Sequence, residues 1–332
     1  MTARPRGAVV VVGASSGVGR ATAHALAARG RPLVLASRSA AALEATAAEC
    51  RVIAARAGIA RLDVAVVPVD VAERTTVDAL MERARAEHAR VDAVVTSAAV
   101  VAYGRFDDVP AEAFDRVMQV NLIGVANVAR SALGLFAQQG GGRLVVVGSL
   151  LGRIATPSMS TYVTSKWAVH GLVRTLQIEA RRLPGVDVSL ISPGSVNTPV
   201  YDQAASYGGR NGRPPPPVGR PEATARAVVR AVDRPRRMVS VGPANVVAVA
   251  GFRLLPGVYD RVVGPAMSVA GLSRRRVEPH PGNVWRPTPG GEAVHGRWGR
   301  HWLRAVGAAS VVSAAVVVRL LAPARRDTRG SV

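Results

Sequence analysis

Short apolar runs alternate with longer amphipathic stretches along the first 240 residues of the chain. The runs are rich in valine and about five residues long, which is typical of strands buried on both faces. They predict strands at residues 8–12, 32–36, 64–69, 93–96, 144–147 and 186–191. The stretches between them predict helices at 17–29, 40–57, 75–90, 111–138 and 160–183. This alternation predicts an α/β fold with a doubly wound parallel sheet, the Rossmann fold.

Proline and glycine break this pattern after residue 193. The connection 201–220 contains four consecutive prolines, which cannot lie in a helix interior or a central strand. A helix at 221–232 and a strand at 238–241 then complete a single predicted domain, residues 1–245. The predicted C-terminal extension comprises an apolar segment near the mouth of the site (246–272), a Pro/Gly/Arg-rich linker (273–300), a candidate membrane-associated helix (301–323) and a basic tail (324–332).

The candidate membrane helix contains an uncharged run, 305–318, between Arg304 and Arg319. Fourteen residues are few for a membrane span, but flanking arginines suit an anionic membrane surface. A helix packed on the protein or on a partner is the alternative. The early apolar run 8–12 is too short for an export signal, so we expect a cytoplasmic protein that is attached to a membrane if the C-terminal helix binds one.

The formal net charge is +21, from 43 Lys and Arg against 22 Asp and Glu. From Ser206 onward there are 21 Arg and 6 acidic residues, so most of the excess lies in the C-terminal third. This excess indicates either contact with an anionic surface or a general arginine bias, and both readings stay open. The basic third lacks interleaved aromatics and any zinc-finger or RNA-recognition pattern, so no nucleic-acid partner is predicted.

The cysteine and histidine content narrows the chemistry. A single cysteine, Cys50, excludes an intrachain disulfide framework and a cysteine-based zinc or iron–sulfur site. The six histidines do not pair at the spacing that a helical metal site needs, so no metal is predicted.

A glycine-rich turn, Gly13-Ala14-Ser15-Ser16-Gly17-Val18-Gly19, follows the first predicted strand and opens the first helix. Glycines let the backbone turn sharply, and a helix N-terminus offers N–H groups to a pyrophosphate. Its position directly after a buried strand makes this turn a candidate dinucleotide site.

The ends of the second and third strands carry the next candidates. A fold of this kind that prefers NAD usually ends its second strand with a carboxylate, but this chain has Ser37 followed by Arg38, which can pair with a 2′-phosphate. NADP is therefore the predicted cofactor, with NAD as the alternative. Asp70, which closes the third strand, is placed to contact the adenine or to cap the following helix.

Tyr162 and Lys166 are four residues apart on a predicted helix and share a face. A fixed ammonium lowers the pKa of a nearby phenol, whose ordinary value is about 10, and so makes proton exchange near neutrality practical. Lys166 is the single lysine among the 43 cationic residues. An ammonium is a compact point charge, so arginine cannot take the same role.

Two further polar residues accompany this pair. Ser149 follows the strand 144–147, where strand ends face the ligand crevice, and its hydroxyl can hold a substrate oxygen. Asn121 interrupts a predicted helix interior and is expected to join a local polar network.

In this order and at these separations the motifs resemble the classical short-chain dehydrogenase/reductase family. The resemblance covers residues 6–245. It implies an oxidoreductase that interconverts a secondary alcohol and a ketone or aldehyde, works as a homodimer or homotetramer, and takes a small-molecule substrate. A non-catalytic regulator or scaffold that binds NADPH is the alternative.

The resemblance also implies a role for each matching residue. Tyr162 would be the general acid/base, Lys166 would lower its pKa and bind the nicotinamide ribose, Ser149 would orient the substrate, and Asn121 would hold a water near Lys166. Thr198 and the backbone at Val196 would contact the nicotinamide carboxamide. The remaining expected cofactor contacts are Gly13, Ser15, Ser16, Gly17, Val18, Gly19, Ser37, Arg38, Asp70, Val71, Ala98, Pro193 and Gly194.

Two positions depart from the family pattern. Thr96-Ser97-Ala98-Ala99 stands where the family usually has Asn-Asn-Ala-Gly, and Val12 stands where it has threonine. Neither departure touches the expected acid/base residues, so we expect activity. We also expect an apolar substrate, because the apolar segment and the candidate membrane helix would both border the site.

Overall fold

The structure is a computed structural model that describes residues 7–288 and 290–298. Its strands are β1 (Ala8–Val12), β2 (Leu33–Ser37), β3 (Val64–Pro68), β4 (Val91–Thr96), β5 (Ala102–Tyr103), β6 (Gly142–Val147), β7 (Val186–Pro193), β8 (Ala205–Ser206), β9 (Arg210–Gly212), β10 (Met238–Val241) and β11 (Leu272–Arg276). Seven strands of this part form one parallel sheet in the order β3-β2-β1-β4-β6-β7-β10. The chain reverses its direction across the sheet between β1 and β4, where doubly wound proteins bind ligands.

Helices cover both faces of this sheet. They are α1 (Gly17–Ala27), α2 (Ala40–Arg56), α3 (Arg74–Glu87), α4 (Ala111–Met118), α5 (Gly124–Gln139), α6 (Ser160–Glu179), α7 (Val200–Gln203), α8 (Pro221–Asp233), α9 (Ala244–Leu254) and α10 (Pro256–Ala266). Helices α1, α2 and α8 pack together on one face, and α3, α5 and α6 cover the other. The predicted doubly wound parallel sheet is confirmed.

The two faces of each central strand feed two separate cores. In β1, Val10 and Val12 pack into one apolar cluster, whereas Val9 and Val11 pack into the other. This split follows from the period of two along a strand. It explains why the sequence shows continuous apolar runs here rather than an alternation of apolar and polar residues.

The helix predicted at 111–138 is interrupted at its centre. A wide π-type turn, Gln119–Ile123, separates α4 from α5 and contains Asn121. The whole stretch Ala111–Gln139 is long and apolar enough to cross a membrane, yet about half of it is buried inside the protein. A core helix of the sheet satisfies the same criterion.

The chain after β10 forms a helical hairpin and then a segment that crosses the sheet edge. Helices α9 and α10 meet at residues 253–258, which are all exposed. Residues 273–288 and 290–298, which belong to the predicted linker 273–300, begin in β11, which pairs with β9, and then pack along the carboxyl ends of the strands. We call residues 280–288 and 290–298 the strap. The predicted membrane helix 301–323 and basic tail 324–332 lie outside the described residues.

Candidate active site

A cavity of about 1560 Å³ opens at the carboxyl ends of the central strands. It is larger than the roughly 300–1,000 Å³ of most small-molecule sites, so a dinucleotide and a second small molecule fit together. All predicted site residues except Asn121 line it. The sequence motifs therefore converge on one cavity.

The glycine-rich turn packs tightly against the end of β4. A side chain at Gly13, where φ is +87°, would lie 2.6 Å from the backbone nitrogen of Ala98, and one at Gly19 would lie 2.0 Å from the Gly13 oxygen. Glycine is therefore required at both positions. The Ser97 hydroxyl donates to the Val12 carbonyl at 3.1 Å, so this serine joins the turn to β4 although the family's usual asparagines are absent.

Helix α6 places Tyr162 and Lys166 on the face that borders the cavity. The Lys166 ammonium lies 5.4 Å from the centroid of the Tyr162 ring and 3.5 Å from the Val147 carbonyl oxygen. Ser149 follows β6 and shares a hydrogen bond with the Tyr162 side chain. The three side chains form one cluster, as the spacing predicts.

The pKa values in this cluster depart from the expectation. Burial raises the pKa of Tyr162 to about 12, although the hydrogen bond with Ser149 acts to lower it. Burial also lowers the pKa of Lys166 to about 8, since the residue is only 2% exposed. The expected lowering of the Tyr162 pKa by Lys166 is therefore absent from this structure, because burial disfavours both charged forms.

Asn121 acts one layer behind the cavity. Its amide donates to the Val100 carbonyl at 2.9 Å and to the Ser165 hydroxyl at 3.1 Å, and its oxygen accepts from the Val100 N–H at 2.8 Å. The side chain joins the segment after β4 to α6. These hydrogen bonds form the expected local polar network. One of its members, Ser165, directly precedes Lys166 in the sequence.

His170 also belongs to this region, although no sequence motif identifies it. Its ring lies one turn beyond Lys166 and rests against the backbone of Gly148 and Gly152. Burial, and then the Lys166 charge, lower the pKa of His170 to about 4. The imidazole is therefore neutral near pH 7.

The end of β2 has a different environment from the one predicted. The Arg38 guanidinium donates to three strap carbonyls, those of Asn283 at 2.7 Å, Trp285 at 3.2 Å and Val284 at 3.3 Å. Burial lowers the pKa of Arg38 from its ordinary value. The predicted 2′-phosphate partner is thus also the residue that anchors the strap.

The strap continues across the glycine-rich turn. The Gly17 N–H donates to the Ala293 carbonyl at 2.8 Å, and Arg20 donates to the Glu292 carbonyl at 2.9 Å. The Ser39 hydroxyl donates to the Glu292 carboxylate at 3.1 Å. Glu292 lines the same cavity as Ser37 and Arg38. Sequence reasoning missed it because nothing local connects positions 39 and 292.

The remaining predicted residues form the far wall and the rim. Thr198 packs against Gly17, and the neighbouring Asn197 accepts the Trp298 N–H at 3.1 Å. Asp70 forms a 2.5 Å ion pair with Arg116 and accepts the Ala72 N–H at 3.0 Å. Asp70 therefore caps the following turn while it lines the cavity.

These residues fit a nicotinamide dinucleotide. The turn that excludes side chains at Gly13 and Gly19 and the hydroxyls of Ser15 and Ser16 suit phosphate groups. The Gly17 N–H at the N-terminus of α1 is already taken by the Ala293 carbonyl of the strap. Lys166, beside Tyr162, and Thr198, beside Gly17, also line the cavity. The donor set and the volume both agree with such a ligand.

Comparison with known proteins agrees with the fold. The sequence model of the short chain dehydrogenase family matches residues 7–207. The chain is 36% identical over 272 residues to the probable oxidoreductase EphD of Mycobacterium tuberculosis (strain ATCC 25618 / H37Rv), which is 76% of this chain and 45% of that protein. It thus spans less than half the length of that relative. It is 31% identical over 325 residues, 95% of this chain and 88% of the other, to the uncharacterized oxidoreductase YxnA of Bacillus subtilis (strain 168).

A solved structure shows the same architecture. The alcohol dehydrogenase from the archaeon Thermococcus sibiricus, complexed with 5-hydroxy-NADP, superimposes with a TM-score of 0.60 at 29% identity and covers 71% of this chain and 96% of its own. The chain therefore belongs to the short-chain dehydrogenase family. Both relatives carry the name oxidoreductase.

Proposed function

We propose that this protein reduces a ketone or aldehyde to the alcohol, or catalyses the reverse reaction, with Tyr162 as general acid/base. The observation that carries the proposal is the cluster of Tyr162, Ser149 and Lys166 in one cavity with the glycine-rich turn. When bound, the nicotinamide supplies the hydride chemistry. The protein contributes orientation and the movement of one proton.

The residues of the cluster divide this work. With a pKa of about 12 the Tyr162 hydroxyl is protonated near neutrality, so it is a proton donor for a carbonyl oxygen. The Ser149 hydroxyl, which already bonds to Tyr162, would hold the same oxygen. Lys166 would stabilise the phenolate that remains. Tyr162 would give its proton to the carbonyl oxygen in reduction and take a proton from the alcohol in the reverse reaction.

Replacement of Tyr162 with phenylalanine tests the assignment. Turnover should fall by about 10²–10⁴-fold because the proton donor is lost. The affinity for NADPH, measured by its fluorescence, should stay within about twofold, since the ring is kept. If turnover persists, Tyr162 is not the acid. If the wild-type chain binds NADPH but reduces no carbonyl from a broad panel, the non-catalytic regulator is the better description.

An apolar substrate is supported by the surroundings of Tyr162. The ring packs in a cluster that includes Met159, Leu151 and Met267, and α9 and α10 contribute Ala248, Val262 and Val263 to the cavity wall. We expect kcat/KM to rise about three- to fourfold for each of the first methylenes added to a linear ketone. A preference for small hydrophilic carbonyls would contradict this.

Membrane association is supported by the corner between α9 and α10. Leu254 is 77% exposed, and Leu255 and Val258 follow it at the corner. Val247, two turns earlier in α9, is 74% exposed, and Arg253 carries positive charge at the corner. An apolar surface with a basic margin suits an anionic bilayer. Val258 also lines the cavity, so this surface borders the site.

Vesicle sedimentation tests this surface in the full chain. Leu254→Ser with Leu255→Ser should weaken binding to phosphatidylglycerol vesicles several-fold, whereas Val52→Ser with Ile178→Ser, which changes similarly exposed residues on other helices, should not. Equal binding by all three proteins would leave the candidate helix 301–323 as the anchor. No binding by the wild type would remove the membrane proposal.

The preference for NADP, the cytoplasmic location and the homodimer or homotetramer remain part of this proposal. The first rests on Ser37 and Arg38 and the others on the family. Light scattering of the full chain measures the assembly directly.

A further inference from the structure

Two acidic residues of the described part of the chain line the cavity near Arg38, namely Asp70, which is paired with Arg116, and Glu292. The Glu292 carboxylate accepts the Ser39 hydroxyl at 3.1 Å, and the Ser39 N–H in turn donates to the Ser37 hydroxyl at 3.3 Å. Glu292, Ser37, Arg38 and Ser15 all line the cavity. In doubly wound folds the group at the end of the second strand meets the adenosine ribose, and a carboxylate there binds its 2′-hydroxyl.

The charge on Glu292 is not neutralised by an ion pair within residues 7–288 and 290–298. Arg20, the nearest cation along the turn, gives its guanidinium to Glu49 at 2.7 and 2.9 Å and offers Glu292 only a bond to the backbone carbonyl. The two terminal nitrogens of Arg38 donate to the carbonyls of residues 283–285 and form no ion pair with Glu292. Burial raises the pKa of Glu292, against the opposing effects of Ser39, Arg20 and Arg38, as expected for a carboxylate short of cationic partners.

The strap holds this carboxylate in a fixed place. Val284 is fully buried in the main core. On either side of Glu292, the Gln203 amide donates to the Gly291 carbonyl at 2.8 Å and the Gly17 N–H donates to the Ala293 carbonyl. The contacts on both sides of Glu292 therefore limit its movement. A carboxylate held in this way can accept a hydrogen bond from a 2′-hydroxyl, but it repels a 2′-phosphate because both groups are negatively charged.

We propose that Glu292, from the C-terminal strap, supplies the carboxylate that the end of β2 lacks and discriminates against a 2′-phosphate on the cofactor. The inference rests on the proposed function, since it concerns the dinucleotide of that site. The positive charge of Arg38 then favours a 2′-phosphate and the negative charge of Glu292 disfavours it. The balance of these two effects sets the relative affinity for NAD and NADP.

Direct binding tests this role without turnover. NADH and NADPH are titrated against the full chain and followed by nucleotide fluorescence, so that each protein yields two dissociation constants. In Glu292→Gln, which keeps the shape and loses the charge, the ratio of the NADPH to the NADH dissociation constant should fall roughly tenfold. Glu292→Ser should move the ratio in the same direction. The matched control is Glu278→Gln, which removes one exposed charge earlier in the extension and should leave the ratio unchanged.

The outcomes separate the inference from the proposed function. An unchanged ratio in Glu292→Gln, with both nucleotides bound, overturns the role of Glu292 and leaves the proposed function intact. An equal loss of affinity for both nucleotides also overturns it, because Glu292 would then only hold the strap. If neither nucleotide binds to the wild type, the proposed function fails together with the inference.

Discussion

The two ends of the cavity are built in different ways. The end at Tyr162, Lys166 and Ser149 comes from α6 and the adjoining β6. Lys166 and Ser149 are buried, Tyr162 is half-buried, and the three have few polar partners. The end at Ser37, Arg38 and Glu292 depends on hydrogen bonds between residues about 250 positions apart. The first arrangement shifts pKa values, as proton transfer requires, and the second fixes charges and backbone groups, as recognition requires.

The sharpest test of the first end is Lys166→Arg. If a compact, buried ammonium is required there, turnover should fall at least about 100-fold, because a planar guanidinium cannot take its place. Steady-state kinetics with the best carbonyl measures the effect. The reverse exchange at an exposed site of the same helix, Arg174→Lys, should leave turnover unchanged. Full activity in Lys166→Arg would show that any cation suffices.

The loss of stability in acid tests whether His170, which lies near Lys166, is as shielded from water as its contacts indicate. The pKa of His170 is about 4 in the folded protein and near 6.5 when unfolded, so the unfolded chain binds more protons between these values. The free energy of unfolding should therefore fall as the pH drops from 6.5 to 4, and His170 should account for about 2–3 kcal/mol of this loss. Urea unfolding of the wild type and His170→Gln at several pH values measures this. Parallel curves for the two proteins would contradict it.

The second end can be loosened through the core residue of its strap. Val284→Ala should lower the free energy of unfolding by about 1–3 kcal/mol, because a fully buried side chain leaves a cavity. Amide hydrogen exchange should also become faster around residues 283–293. Val294→Ala, at a half-exposed strap position, is the control and should change stability much less. If Val284→Ala has no effect, the strap is not part of the cooperative unit.

The first end follows from the sequence far better than the second. Valine runs, the glycine turn and the Tyr162–Lys166 spacing are local patterns with a fixed structural meaning, and each element formed within a few residues of its predicted bounds. The direction of the Tyr162 pKa shift was wrong because it depends on burial, which spacing does not show. His170 carries no motif at all.

The strap could not be predicted for a physical reason. Its composition, rich in Pro, Gly and Arg, is that of a linker, and its position depends on tertiary contacts such as those of Arg38 and Gly17. The predicted linker therefore packs over the site. Arg38 lines the cavity, and its role toward a 2′-phosphate stays a prediction. Its carbonyl partners lie in a segment that has no periodic pattern.

The hydrogen bonds from Arg38 and Gly17 affect how freely the amino-acid sequence of the strap can diverge in evolution. Both residues bind main-chain oxygens, which every amino acid supplies. Substitutions at exposed strap positions can thus accumulate while the path of the backbone is retained. Relatives with quite different residues in this stretch can keep the same architecture there, so a weak alignment would understate the structural similarity.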